Sequence, residues 1–556
     1  MAHPDELVFV PLGGLGEIGM NAALYGFGPP RSRKWILVDC GIGFAGEEGL
    51  PGVDLMFPDL AFIEDERDNL LAIFITHAHE DHIGALAELW PRLRAPVYAT
   101  RFSLGLLEAR RLGEPGAPKV ELREAEPGRR IQAGPFEVEY VPVAHSIPES
   151  NGLAIRTPAG LVVHTGDWKL DDTPFVGHTT SEAVFRALGD EGILALVCDS
   201  TNVVREGRSP SESDVAKRLS EIIAASPNRV AVTTFASNVA RIRAVAEAAR
   251  ACGRECIAVG RAMDRVIEVA RECGYLDGLP DFRPPEAYGY LPRDKVVALL
   301  TGSQGEPRAA LARIADDEHP EIALSRGDRV IFSSRAIPGN EKAIGRIQNA
   351  LVRQGIEVIT DRHDLVHVSG HPRRDELAAM YRWTRPRIAV PAHGEDVHLA
   401  EHADFAKAQG VPEVVRARNG AVVRLSPGPA EIVDDVPAGR IYRDGDIVIE
   451  AGERALPERR KLAFAGLVSV AIAIDRRGEV AGDPVIDIMG LPDKDRRGGS
   501  IPDLVADTVA QTLDNLPKAR RRDPEAVEDS VARAVRSAVN GVWGKKPACH
   551  VLVVEV

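Results

Sequence analysis

Four side chains able to hold a metal stand within six positions, His77, His79, Asp81 and His82, in the run Thr76-His-Ala-His-Glu-Asp-His82. The apolar run before them, 70–75, reads as a buried strand whose end opens into a site. Three imidazoles and a carboxylate suit a borderline-soft divalent ion such as zinc. The spacing also suggests more than one ion: His77 and His79 are close enough to grip one, which leaves Asp81 and His82 to turn toward a second. Two ions about 3.5–4 Å apart form a clamp for in-line displacement at phosphorus. A histidine-rich surface loop is the blander explanation, and the residues downstream weigh against it.

Those residues also end apolar runs. His145 follows 136–143, His393 closes 387–393, and Asp167 closes 160–167, where Gly166 lets the backbone turn tightly. Asp39 ends 35–39 and suits a role outside the ligand set, orienting a ligand histidine. The prediction is His77, His79 and His145 on one ion, Asp81, His82 and His393 on the other, and Asp167 bridging. Alone, His145 or His393 would read as a structural histidine; as a set they make a site.

The order His77-x-His79-x-Asp81-His82, then His145, then Asp167, resembles the metallo-β-lactamase superfamily. Lactamases, glyoxalases and nucleases share that pattern, so it leaves the substrate open. Longer strings narrow it. Pro11-Leu-Gly-Gly-Leu-Gly-Glu-Ile-Gly19, Thr301-Gly-Ser-Gln-Gly-Glu-Pro307 and Ser333-Ser-Arg-Ala-Ile-Pro-Gly-Asn-Glu341 resemble ribonuclease J, as do Val366-His-Val-Ser-Gly-His371 and Val551-Leu-Val-Val-Glu-Val556. The likeness runs from residue 7 to the end. Arg335, and Ala78 and Glu80 within the first motif, read as ordinary variation.

The resemblance implies an α/β chain: a metallo-β-lactamase αββα sandwich, an inserted β-CASP α/β domain, and a small C-terminal α+β domain. It places motif A on Asp199 in Cys198-Asp-Ser-Thr-Asn202, motif B on His367 and motif C on His393. It implies RNA hydrolysis that leaves a 5′-phosphate on the downstream piece, in RNA maturation and decay. The expected activity is 5′-to-3′ exonuclease with a preference for 5′-monophosphate ends, and internal cuts as well. A tail of this kind implies self-association.

On this reading Asp81 and Asp167 orient the attacking water as well as ligate. The leaving 3′-oxygen takes a proton from His367, which Asp199 orients and keeps protonated. A pocket for the terminal phosphate falls on Ser237 and Asn238, at a strand-to-helix turn that favours anions, and on Ser369, Gly370 and His371. For Ser237 a plain helix cap is the competing reading.

With 556 residues the chain is too long for one core. The predicted division is 1–202 and 351–430 for the metallo-β-lactamase domain, 203–350 for the insertion, 431–460 for a Pro/Gly-rich linker, and 461–556 for the last domain. In the insertion, helical periodicity at 211–225 and 239–251 alternates with strand runs at 229–235, 295–301 and 328–334. The last domain reads as strands 462–475, 484–489 and 549–556 with helices 501–515 and 524–540.

A net charge of −14 argues mildly against a nucleic-acid partner. Two divalent ions would return four positive charges where they matter, and affinity follows the local field. The basic run Lys518-Ala-Arg-Arg-Arg522 reads first as a solvated helix end. The six scattered cysteines, the missing secretory pattern at Met1–Glu6 and the absence of a long apolar run predict a cytoplasmic protein away from membranes. The expected partners are two zinc ions, with manganese also compatible, single-stranded RNA, further copies as a homodimer or homotetramer, and an RNA-degradation complex.

Two motifs compete. Gly14-Leu-Gly-Glu-Ile-Gly19 matches the dinucleotide fingerprint, yet Gly26, Gly28, Pro29 and Pro30 arrive too soon for the helix it needs, so 20–27 reads as a second hairpin strand. His398-Leu-Ala-Glu-His402 matches an inverted zinc-protease pattern, but a five-residue match is weak. A DNA-processing β-CASP nuclease or a small-molecule metallo-hydrolase would share the metal ligands. The first should lack the 302–307 and 338–341 strings, and the second would not need the insertion, Asp199 or His367.

Overall fold

The computed structural model describes residues 5–44, 50–53, 55–112, 115–337 and 339–556. Met1–Pro4, at the start of the stretch read for a leader, and Pro338, inside one of the strings above, lie outside them. The chain forms two compact units, 1–44 with 55–441, and 45–54 with 442–556.

The first unit is built on two sheets that share a core. One has eight strands, with Glu6–Gly13, Ala22–Gly28, Lys34–Val38 and Leu70–Phe74 adjacent in that order. The other has seven and includes Ile388–Ala392, Ile193–Asp199, Gly160–His164, Asn151–Thr157 and Phe136–Pro142. Phe9, Tyr25, Ile36 and Phe74 from the first sheet meet Val138, Tyr140, Ile155, Val197 and Val390 from the second. On the outer face of the second sheet, Val163, Leu196 and Ala389 pack against Phe185 and Leu188 of helix Glu182–Glu191 and Leu377, Met380 and Trp383 of helix Arg374–Thr384. Leu70–Phe74 lies inside the sheet, parallel to both Lys34–Val38 and Val97–Ala99, and four of its five residues are buried, so it reads as an unbroken apolar run. The Gly-rich turn after Glu6–Gly13 leads into an antiparallel partner, Ala22–Gly28. That is the expected hairpin, and it removes the dinucleotide alternative.

Inserted in sequence between the paired strands Ile193–Asp199 and Ile388–Ala392 of the second sheet is a five-stranded parallel sheet, in the order Glu255–Val259, Val296–Leu300, Val230–Thr233, Arg329–Phe332, Glu357–Ile359. Side chains on a strand alternate in direction. Val230, Val232, Val297, Leu299 and Ile331 therefore pack on helices Glu212–Ala224, Val239–Ala251 and Arg261–Glu272. Ala231, Ala298, Leu300, Val330 and Phe332 face the other way, toward Ala310–Ala315 and Glu341–Arg353. A parallel α/β sheet binds ligands beyond the carboxyl ends of its strands. Segments 234–238, 301–307, 333–337 and 360–371 occupy that edge.

The second unit has a three-stranded sheet, Val485–Met489, Leu467–Ile474 and Ala548–Glu555. One face is covered by helices Ile501–Asn515 and Pro524–Trp543. Segment 431–460 is not bare linker: it carries strands Glu431–Asp435, Arg440–Asp444 and Ile447–Glu450 and the start of helix Ala455–Ala465. The apolar run expected as one strand from 462 belongs to that helix up to Ala465, and Gly466, at φ +68°, breaks it before Leu467–Ile474 begins. Among the described residues no helix is long and apolar enough to cross a membrane.

Candidate metal centre

Most predicted ligands sit just past the end of a buried strand, while Asp81 and His82 lie in the short helix Glu80–Ile83. His77 and His79 follow Leu70–Phe74, Asp167 follows Gly160–His164, and His393 follows Ile388–Ala392. Two of these ends are strained: Asp39 has φ 63° and His393 φ 50°. A non-glycine residue in the left-handed region costs about 1–2 kcal/mol. That strain is held by the surrounding contacts and turns both side chains inward. The backbone is also tight. A Cβ on Gly41 would lie 1.7 Å from the Asp81 carbonyl oxygen, and one on Gly166 would lie 2.9 Å from that of Asn151.

The seven side chains converge in two groups, His77, His79, His145 and Asp167, and Asp81, His82, Asp167 and His393, with all donor atoms in each group within 4.8 Å of one another. In the first group His79 Nδ1 is 3.1 Å from both His77 Nε2 and His145 Nε2. Asp167 Oδ2 belongs to both groups. It lies 3.8 Å from His77, 3.7 Å from His145, 3.2 Å from His82 and 3.5 Å from His393.

A set of outer partners fixes which ring nitrogen faces inward. Asp39 Oδ2 is 2.7 Å from His82 Nδ1, and Asp39 also accepts from the Thr76 amide and hydroxyl. Gly370 O is 2.7 Å from His145 Nδ1, and Asn21 Oδ1 is 2.9 Å from His393 Nδ1. His82, His145 and His393 thus each turn Nε2 toward the centre. Asn21 also donates to the Asp81 carbonyl at 3.0 Å. The sequence reasoning missed Asn21, since an amide at the start of a strand carries no mark of a metal site; only its place after the glycine string hinted at it.

The donor set fits divalent ions. His393 Nε2 and Asp167 Oδ1 are buried with no hydrogen-bond partner. A cavity of about 30 Å³ borders Asn21, His82, Asp167 and His393, room for something the size of a water. Burial pulls the His77 and His145 imidazoles well below the usual histidine range and His79 to about 4, which keeps their lone pairs free. His82 moves the other way: against burial, Asp167, Asp81 and Asp39 raise it well above that range. Positive charge is wanted at that point.

Next to the centre, one expectation is corrected. Asp199 does not pair with His367; its Oδ2 is 2.8 Å from His371 Nδ1, while its Oδ1 is held by Thr201. His371 is also 3.8 Å from Asp167. Burial lowers its imidazole pKa, but Asp199 and Asp167 win and push it up to about 9. His367 titrates in the opposite direction. Burial, then Arg241, Arg335 and Lys169, hold it well below the usual value, and its Nδ1 has no partner.

The residues expected around a terminal phosphate are arranged as follows. Asn238 Oδ1 caps helix Val239–Ala251 by accepting from the Arg241 amide at 2.9 Å, with Ser237 half-buried before it. Ser369 Oγ accepts from Asn202 at 2.8 Å, and Asn202 also reaches the His371 carbonyl. Arg241, wholly buried and paired with Glu212 at 2.8 Å, donates to the Val366 carbonyl at 2.9 Å and so ties the two segments together. His402, from the protease-like motif, is sealed between Ser200 Oγ and Tyr381 OH and is structural.

Known proteins match the chain segment by segment. Residues 34–183 match the beta-lactamase superfamily domain, 227–351 the ribonuclease J beta-CASP domain, 355–415 the Zn-dependent metallo-hydrolase RNA specificity domain, and 454–556 the ribonuclease J C-terminal domain. Ribonuclease J of Sinorhizobium meliloti is 54% identical over all of this chain and 98% of its own length. The chain belongs to the ribonuclease J family. Ribonuclease J of Mycolicibacterium smegmatis is 39% identical (100% of this chain, 98% of the relative), and that of Thermus thermophilus 38% (99% and 96%). A crystal structure of a protein of unknown function from Enterococcus faecalis shares the fold, with TM-score 0.52 and 16% identity over 75% of this chain and 100% of that one. As a member of this family the chain is a metal-dependent ribonuclease that binds RNA and divalent metal.

Proposed function

We propose that the enzyme degrades single-stranded RNA from 5′-monophosphate ends in the 5′-to-3′ direction, cuts internally as well, and does so with two zinc ions. What supports this most is one atom: Asp167 Oδ2, placed between a three-histidine group and a second group with its own carboxylate, His371 and Asp199 beside it. Imidazoles outnumber carboxylates in this set, which favours zinc over manganese.

When bound, the two cations would supply an activated water and charge neutralisation at the phosphate. The protein's own groups do the rest. Asp81 and Asp167 orient the incoming water. His371, positioned by Asp199, holds the proton that the leaving 3′-oxygen needs, the role first read onto His367. His367 joins Ser237, Asn238, Ser369 and the amide of Gly370 around the terminal phosphate. Asp39 keeps the tautomer of His82. Asp39→Asn is expected to weaken metal retention about 10–100-fold, measured by competition with a graded chelator; unchanged retention would remove Asp39 from this role.

Digestion of end-labelled RNA bearing a 5′-hydroxyl, monophosphate or triphosphate tests the main reading. Mononucleotides released from the monophosphate alone are expected. Equal degradation of all three, insensitive to chelator, would overturn it.

Self-association is proposed through the open face of the second unit's sheet. Val485, Met489, Leu552 and Val554 are 69%, 56%, 52% and 58% exposed there. Between these apolar rows, Ser469 pairs in register with Asp487 on one side and His550 on the other. A two-fold axis would set Asp487 of one copy against His550 of the next, giving a homodimer that can pair again to a homotetramer. The six free cysteines suit a reducing, cytoplasmic location.

A further inference from the structure

We propose that Arg205, Arg335 and Arg373 form a seat for the phosphodiester backbone of single-stranded RNA, separate from the metal centre and from the terminal-phosphate pocket. The proposal rests on the ribonuclease reading and adds a binding site to it. The three residues come from three segments: the loop after strand Ile193–Asp199, the loop after strand Arg329–Phe332, and the turn before helix Arg374–Thr384.

Backbone geometry joins the first and third segments. The Arg374 amide donates to the Arg205 carbonyl at 3.0 Å, and the Asp375 amide to the Gly207 carbonyl at 3.2 Å. Arg335 is fixed by its own carbonyl, which accepts from Gln304 Nε2 at 2.9 Å. Its guanidinium Nε is 3.8 Å from Asp361 Oδ2. Among the described residues that is the carboxylate available to the group: none lies within 4 Å of the Arg205 or Arg373 side chain, and Arg373 Nε is buried without a hydrogen-bond partner.

Their neighbours are paired. Arg374 meets Glu401, Arg218 meets Asp364 at 2.5 Å, and Arg329 meets Glu357 at 2.7 Å. In a chain of net charge −14, three half-buried guanidiniums with one carboxylate within 4 Å among them leave positive charge for an anion to meet. Burial and then Arg373 pull the Arg205 pKa down, and burial and then Arg205 do the same to Arg335, so these charges repel. A phosphate would relieve that repulsion, and the planar fork of arginine matches its oxygens. Arg335, which stood out in its string as mere variation, gains a task.

The experiment is steady-state hydrolysis of a 5′-monophosphorylated oligouridylate by the intact metal-loaded enzyme across a range of salt. Arg335→Gln with Arg373→Gln is expected to raise KM about tenfold at moderate salt while kcat holds. The slope of log KM against log salt should fall by about 1.4, roughly 0.7 for each phosphate of a single strand that is no longer neutralised. Arg335→Lys with Arg373→Lys should keep most of the slope, and inhibition by 5′-UMP should be unchanged in all variants. Thermal unfolding within a degree or two of wild type checks that the variants fold. An unchanged slope in the double glutamine variant, or an equal loss of 5′-UMP inhibition, would overturn the seat. Failure of the wild-type enzyme to degrade the RNA would overturn the ribonuclease reading itself, a separate outcome.

Discussion

Asp167→Asn should abolish RNA hydrolysis, by on the order of 10³-fold or more, which corresponds to about 4 kcal/mol of lost transition-state stabilisation. The size of the effect follows from geometry. One oxygen of Asp167 lies 3.2 to 3.8 Å from four imidazole nitrogens, two in each donor group. An amide of the same shape removes the negative charge that two cations would share. It also sets an N–H₂ or a weaker carbonyl against lone pairs meant for metal. Burial alone would raise the Asp167 carboxyl pKa, yet His393, His82 and His371 hold it well below the usual range, so it is ionised at any working pH. The variant should fold, because its loss falls on a polar centre and leaves the shared core of the two sheets intact. Both the rate and the metal content should drop. A variant that kept its metal and lay within tenfold of wild type would show that Asp167 bridges nothing.

His371→Ala should lower kcat by about 10²–10⁴-fold, the range of a lost general acid, with little change in KM. His367→Ala should instead raise KM for monophosphate ends and leave the chemical step. Asp199→Asn should resemble His371→Ala, and the two together should cost little more than either alone, because both remove one unit. The pH profile separates the two histidines further. Asp199 and Asp167 raise the His371 pKa to about 9 in the protein alone, so the proton is present at neutral pH and is lost as pH rises. Activity should therefore fall on the alkaline side. Bound cations, being positive, would bring that limb below 9. The limb should vanish in His371→Ala. Its loss in His367→Ala, with His371→Ala unaffected, would reverse the assignment.

The metal ligands were legible in sequence because His77, His145, Asp167 and His393 follow apolar runs, and a buried strand must deliver the next polar residue to an edge; Asp81 and His82 were legible from their spacing after His79. The same logic found Asp39. It failed between His367 and His371, four residues apart on a segment with no helical or strand period. Which of them meets Asp199 is decided by tertiary contacts: Gly370 O on His145, Asn202 on Ser369, and Arg241 on the Val366 carbonyl. None of these follows from local pattern. Asn21 was hidden because its amide is a common turn residue.

In the fold, period-two alternation and helical faces gave the parallel insertion and the two helices of the last domain. Segment 431–460 read as linker because its Pro and Gly content is that of a turn, yet exposed edge strands tolerate such residues too. All five positions of Glu431–Asp435 are exposed. The apolar stretch before Leu467 was misread for another reason: a short apolar run does not distinguish a helix end from a strand start.

The most direct measurement is elemental analysis of freshly purified wild-type protein. Two equivalents of zinc or manganese per chain are expected, with both lost together in Asp167→Asn. A wild-type protein holding no transition metal, or a single equivalent untouched by that substitution, would contradict the paired centre on which the chemistry depends.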